Sequence, residues 1–282
     1  MKHPSYPPAP SVMLDCQHLL QRFAAGEREF KGMYLSEANL EGAELTGVRL
    51  QEANLSGARL SYAVLSQAKL LRTYLTVADL QGAYLIGSDL SRADLFAANL
   101  RSSHLSKATL VKTILTQADL SGCTLIRANL AEADLSGARL VGADLSGAEL
   151  VSARLVGADF SQTEMGGTNL VSCDCRAANF SQAQLSKSNL EGAILTRARL
   201  GKAQLTRTNL NKSVLVKADL VAANLEGATL ESANLRGANL CKARLEGACF
   251  QGALYDNFTL FDPGLNPAKA GMIKTESVCL PS

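Results

Sequence analysis

From Phe30 to Phe250 every fifth residue is apolar, without a single insertion, and few backbone shapes can carry that beat. Of these 45 positions, 39 are Leu; the others are Phe30, Phe160, Met165, Cys175, Phe180 and Phe250. The 44 positions two residues earlier, from Met33 to Ala248, hold 31 Ala and mostly small substitutes such as Thr73, Ser88, Cys123 and Ser213. Gly follows the same rule, since 17 of 22 lie two residues after a beat position. The unit reads Ala-x-Leu-x-Gly.

Such a beat excludes a helical solenoid despite the abundance of Ala, Leu, Glu and Lys. A helix turns about 100° per residue, so a step of five rotates the next Leu by roughly 140° and no apolar stripe forms. A leucine-rich repeat needs a longer unit. Ala and Leu two apart on the same side of a short extended segment, followed by a turn that favours Gly, satisfies the pattern.

Runs such as Ala38-Asn39-Leu40-Glu41-Gly42, Ala53-Asn54-Leu55-Ser56-Gly57 and Ala143-Asp144-Leu145-Ser146-Gly147 resemble the pentapeptide-repeat proteins. The resemblance covers residues 30–252 and implies an all-β fold, a right-handed quadrilateral β-helix with Leu and Ala inward. Four segments per turn make one coil of 20 residues, so residues 27–260 are expected to supply about 11 coils over about 50 Å. Residues 1–11 are Pro-rich and expected to be a disordered tail. Apolar residues at Val12, Cys16, Leu19, Leu20 and Phe23 predict a capping helix over 12–26, with Ser11 as N-cap and Gly26 beyond the last turn. Residues 19–30 resemble the segment that precedes the repeats in bacterial members. At the other end Tyr255 and Leu260 keep the beat, while Phe258 is too large for a small position. Residues 261–282 are expected to cap the last coil or to mediate self-association there.

Composition narrows the function. The 282 residues carry 28 Lys plus Arg and 26 Asp plus Glu, a net charge of +2 that exerts little pull on nucleic acid or anionic membranes. No run approaches the roughly 18 apolar residues of a membrane span. Met1–Pro8 lacks the apolar stretch of a secretory signal, and seven Cys without a CxxC pair suit a reducing compartment, so a cytoplasmic protein is expected. No phosphate loop, metal-binding His pair or nucleophile elbow occurs. The chain therefore reads as non-enzymatic, with no catalytic, cofactor or metal site.

What remains is surface. In a 20-residue register, Arg59 and Asp79, Asp119 with Arg139 and Asp159, and Arg199 with Asp219 adjoin in one ladder of opposite charges. Lys69, Arg72, Arg92 and Lys112 form a weak basic stripe, interrupted by Asp89. The basic residues Arg197, Lys202, Arg207, Lys212 and Lys217 lie five apart and wrap the column as a belt. Tyr74, Val77, Phe96 and Ile114 are outward apolar residues on consecutive coils, and Ile194, Val214 and Val216 repeat the situation farther along. Outward apolar groups in contiguous coils cost solubility and point to a partner surface. The expected partner is another protein, with nucleic acid disfavoured. Two other readings remain open. One is a topoisomerase inhibitor of the DNA-mimic kind that the family resemblance implies; it is disfavoured because residues 33–252 hold 22 basic and 20 acidic residues and no loop insertion. The other is a structural protein with no fixed partner.

Overall fold

The computed structural model describes residues 16–276; Ser11, Val12, the Pro-rich segment and Cys279 lie outside them. One helix, α1 (Cys16–Ala24), leads into the column. Gly26 takes a positive φ, and the N–H groups of Gly26 and Glu27 bond to the carbonyls of Phe23 and Arg22, a Schellman closure that ends the helix. Leu19 is buried in the core, with Cys16, Leu20 and Phe23 packed against it.

Beyond α1, parallel bridges join every fifth residue to the one 20 positions later, without interruption from Glu29↔Arg49 to Asn234↔Leu254. Four bridges per 20 residues make a four-sided column. Its first face is centred on Tyr34, Asn54, Tyr74 and so on, and the second on Asn39, Arg59 and Asp79. The third runs through Glu44, Val64 and Tyr84, and the fourth through Glu29, Arg49 and Lys69. The Leu ladder fills the axis with Ala beside it, and both are almost completely buried.

Five residues suffice because four of the five backbone N–H groups find backbone carbonyls, and an Asn or Asp on the face takes the fifth. Ala53 N–H closes a turn on Leu50 O at 3.0 Å. Asn54 N–H reaches back to Met33 O at 2.8 Å, and Leu55 N–H reaches forward to Tyr74 O at 2.7 Å. Glu52 N–H joins the stacked turns through Leu71 O at 2.9 Å. The fifth donor, Ser56 N–H, is taken by the side chain of Asn54 at 3.0 Å. Asn and Asp on the faces thus do what backbone cannot: they satisfy a donor that otherwise faces water. Inward Thr and Ser are satisfied likewise, Thr73 Oγ1 donating to Leu50 O at 3.0 Å and Ser88 Oγ to Leu85 O at 2.7 Å.

This role overrides the expected ladder of opposite charges. Asp79 accepts from Gln81 N–H, Ser61 Oγ and Asn99 Nδ2, while Arg59 turns to Glu41 at 2.8 Å. Asp119 accepts from Ser121 N–H at 3.0 Å and meets Arg101, not Arg139, at 4.0 Å. A fixed backbone donor two residues away outcompetes a flexible, solvated Arg on the next coil.

The beat also breaks at Leu260, a position that the spacing counts as keeping it. Asn239 pairs with Leu260, a step of 21, so Leu260 is displaced outward and exposed. Thr259, not Phe258, donates into the core carbonyl of Leu235 at 3.0 Å, and Phe258 is left 63% exposed. Asp256 causes the shift by accepting both Gly237 N–H and Phe258 N–H at 3.0 Å, which lengthens the turn by one residue. The chain then folds back: β1 (Leu254–Tyr255) pairs in parallel with β2 (Ile273–Lys274), and Met272 is buried.

Candidate functional site

Every turn in the column has its second residue in the left-handed region. All 45 positions from Gly32 to Gly252 have φ between 52° and 72°, yet only 17 are Gly. Most of the other 28 are Lys, Arg, Glu, Gln, Ser or Ala, whose unbranched or short side chains tolerate that conformation. Val77 is the single β-branched residue among them, at φ 55°, and it is 65% exposed. Both strain and solvation act against it there.

Val77 lies at the edge between the first and second faces. Tyr74 and Ile114 stand on the first face, half-buried and exposed respectively, and Phe96 lies half-buried at the same edge as Val77. Asp94 occupies the ladder between Tyr74 and Ile114, its carboxylate turned to Phe96 N–H at 3.0 Å. The apolar set therefore bends around that carboxylate onto the edge and is not a straight stripe. Farther along, Ile194 and Val214 pair directly on the first face, with the half-buried Val216 at its edge.

Arg72, Arg92 and Lys112 do stack, at the edge between the fourth and first faces. Its two ends are neutralised within the chain, since Arg72 meets Glu52 at 3.9 Å and Lys112 meets Glu132 at 3.2 Å. Lys69 bridges on the fourth face to Asp89. The stripe is a poor anion site.

The third face carries an aromatic cluster in which Tyr84, His104 and Thr124 are successive rungs. Tyr84 stacks on His104 at 4.8 Å, His104 contacts Thr124 Oγ1, and Ile86 and Tyr62 are exposed nearby. Tyr62 lies where a Cβ on Gly82 would be 2.6 Å from its ring, so Gly82 is required for the ring to rest there. The signal was available as a Tyr paired with a Gly 20 residues later.

Half of the thiols among the described residues are enclosed in the core. Cys123, Cys173 and Cys175 are buried, and Cys173 Sγ donates to Leu150 O at 2.8 Å. Burial pushes the Cys123 thiol far above its usual range; a hydrogen bond with Cys173, together with burial, does the same for Cys175. A thiol reagent is expected to modify the partly exposed Cys16, Cys241 and Cys249 in the native protein. Cys123, Cys173 and Cys175 should react only in denaturant. Rapid labelling of Cys173 or Cys175 without denaturant, read by peptide mass spectrometry, would contradict the closed core. Among the described residues no group of His, Cys, Asp and Glu is arranged to hold a metal ion, and no helix is long and apolar enough to cross a membrane.

The pentapeptide-repeats family model matches in eight copies, spread over residues 29–167, 173–211 and 218–254. The chain belongs to the pentapeptide-repeat family. Pentapeptide-repeat proteins fold as right-handed β-helices, which gives the four-sided column its hand. Among solved structures, the chain is similar to HetL, a pentapeptide-repeat protein involved in heterocyst differentiation regulation from the cyanobacterium Nostoc sp. strain PCC 7120. Identity is 36%, over 85% of this chain and 96% of HetL, with a TM-score of 0.41. The Nostoc protein alr5209 is 34% identical over 42% of this chain and 84% of its own, with a TM-score of 0.20. QnrB1, a plasmid-mediated fluoroquinolone resistance protein, is 18% identical over 69% of this chain and 92% of its own, with a TM-score of 0.39. No match is found among curated proteins.

Proposed function

We propose that this pentapeptide-repeat protein is a non-enzymatic scaffold that binds another protein through the surface formed by Tyr74, Val77, Phe96 and Ile114. Val77 carries the reading. Stability alone selects Gly or an unbranched polar residue at such a turn position, and a strained, exposed, β-branched residue beside three more outward apolar groups is what a contact surface requires. Ile194, Val214 and Val216 extend the same face. The protein acts in the cytoplasm, the helical segment caps one end of the column, and the C-terminal end, with Phe258, Leu260 and Ile273 exposed, is where two copies would meet.

Val77→Gly is expected to raise stability by about 1 kcal/mol while weakening retention of the partner. The measurement is a host-lysate pull-down quantified by mass spectrometry, run on wild type, Val77→Gly and Tyr74→Ser/Phe96→Ser/Ile114→Ser, after circular dichroism confirms each fold. One protein retained by wild type and lost by both variants supports the surface. Equal retention by all three, or by none, removes it. In a supercoiling assay low micromolar protein is expected to leave gyrase unaffected, in keeping with the balanced charge.

A further inference from the structure

The edge between the third and fourth faces carries one succession of residues twice. Its second turn residue, read coil by coil, is Lys107, Arg127, Gly147, Gly167, then Lys187, Arg207, Gly227, Gly247. No other edge holds that order. These turns stack directly, from Lys107 N–H on Ile126 O to Gly227 N–H on Glu246 O, at 2.8 to 3.1 Å. In both copies the Arg stem leans over the Gly beneath it: a Cβ on Gly147 would lie 3.6 Å from Arg127 Cγ, and one on Gly227 would lie 3.4 Å from Arg207 Cγ.

The second copy lines an open groove of about 590 Å³. Lys187 and Arg207 stand at one end, bare backbone at Gly227 and Gly247 forms the floor, and Glu226 and Glu246 flank that floor. In the first copy the glycines lie between the third-face carboxylates Asp144 and Glu164 and the fourth-face Glu149.

The unpaired state of these cations sets the edge apart. At the edge between the fourth and first faces the cations Arg72, Arg92 and Lys112 also adjoin, but acidic neighbours pair both ends of that run: Lys31 and Arg72 flank Glu52 at 3.4 and 3.9 Å, Lys112 meets Glu132 at 3.2 Å, and farther along Glu191 meets Lys212 at 2.9 Å. Here the two cations of each copy adjoin without an acidic partner, about 4.8 Å apart from coil to coil, and in the second copy Glu226 and Glu246 follow them on the same edge. Like-charged neighbours destabilise a ladder. Among the described residues none of Lys107, Arg127, Lys187 and Arg207 has an acidic group within 4.0 Å. Glu246 is likewise without an ion pair, whereas Glu226 is held by Arg244 at 3.1 Å. Segregated, unpaired charge beside a floor without side chains suits a ligand whose main chain approaches closely and whose charges complete the pairs.

We propose that this edge binds an extended, mixed-charge segment of a partner protein, with acidic side chains on the Lys–Arg pairs and basic ones over the glycines. The two copies are four coils apart, about 19 Å, which matches about six residues of extended chain. Nucleic acid fits less well, because a uniformly anionic strand meets carboxylates along half the edge. The inference rests on the reading of the protein as a binding scaffold, but not on its apolar surface.

The test uses the full chain and a fluorescein-labelled Gly/Ser peptide of about 14 residues, with Asp at every sixth position and Lys midway between. Fluorescence anisotropy is expected to show binding at low salt that weakens as salt is added. Lys187→Glu/Arg207→Glu and, separately, Gly227→Gln should each weaken it about fivefold, whereas Tyr74→Ser/Phe96→Ser/Ile114→Ser should bind as wild type. Gly227→Gln fills the floor without altering charge, and Gln is tolerated at this turn position elsewhere in the column, so it decides if the charge variant fails to fold. The proposal is overturned if a scrambled peptide or oligothymidylate binds as tightly, if the edge variants bind as wild type, or if no peptide binds. Loss of the edge with intact retention through Tyr74, Phe96 and Ile114 removes this proposal alone.

Discussion

Phe160→Ala is expected to lower stability by about 3 to 5 kcal/mol. Phe160 and Phe180 occupy adjacent coils on the column axis, both fully buried, with ring centroids 5.1 Å apart and planes 14° from parallel. Around them the beat and its small positions carry Thr163, Met165, Thr168, Cys173 and Cys175, all buried. That departure from Ala and Leu makes room for two rings, and the stacked turns above and below resist collapse into a cavity. Phe160→Leu restores the residue that the lattice prefers and should cost less. Pairing Phe160→Ala with Phe180→Ala should give a coupling of about 1 kcal/mol from the lost ring contact. Urea unfolding followed by circular dichroism measures wild type, the three single variants and the double variant. A midpoint for Phe160→Ala within error of wild type would mean that the axis is not close-packed.

Asp144→Pro is expected to cost about 3 kcal/mol or more and to divide the column. Asp144 N–H bonds to Cys123 O at 2.9 Å, and its carboxylate accepts Ser146 N–H at 2.9 Å. Proline removes both and leaves a buried carbonyl unpaired between two coils. Each coil contacts only its neighbours, so a break in mid-column uncouples the halves. Hydrogen exchange should show protection lost in the coils around residue 144 and retained toward both ends, with urea unfolding resolved into two steps. Asp144→Ala, which loses only the side-chain acceptor, should cost about 1 kcal/mol and keep a single transition. A single wild-type transition for the Pro variant would show that coupling is not limited to neighbouring coils.

The gaps in legibility have identifiable causes. The outward placement of Tyr74, Val77 and Ile114 follows from their offset from the beat, because side-chain direction in an extended segment depends only on position. The burial of Phe96 and the intrusion of Asp94 do not, since they depend on what the next coil presents. The charge ladder looked complete on spacing alone, yet Asp79 and Asp119 serve their own turns. Tyr62 over Gly82, and the doubled Lys-Arg-Gly-Gly edge, become visible only when residues 20 apart are placed side by side.

By itself the sequence determined which side of the chain faces inward, the solenoid class and the absence of a catalytic motif, because a five-residue beat is a local property of extended segments and turns. Tertiary structure decided the rest. Stacked turns, bonded at the second residue from Gly32 to Ser232, hold that residue in the left-handed region whether or not it is Gly. Asp256 lengthens the last turn and turns Leu260 outward, because its carboxylate is aimed at N–H groups on two coils. The lateral pattern of charge and bare backbone along each edge exists only once coils are stacked, since it is written across residues that are neighbours in space and 20 apart in the chain.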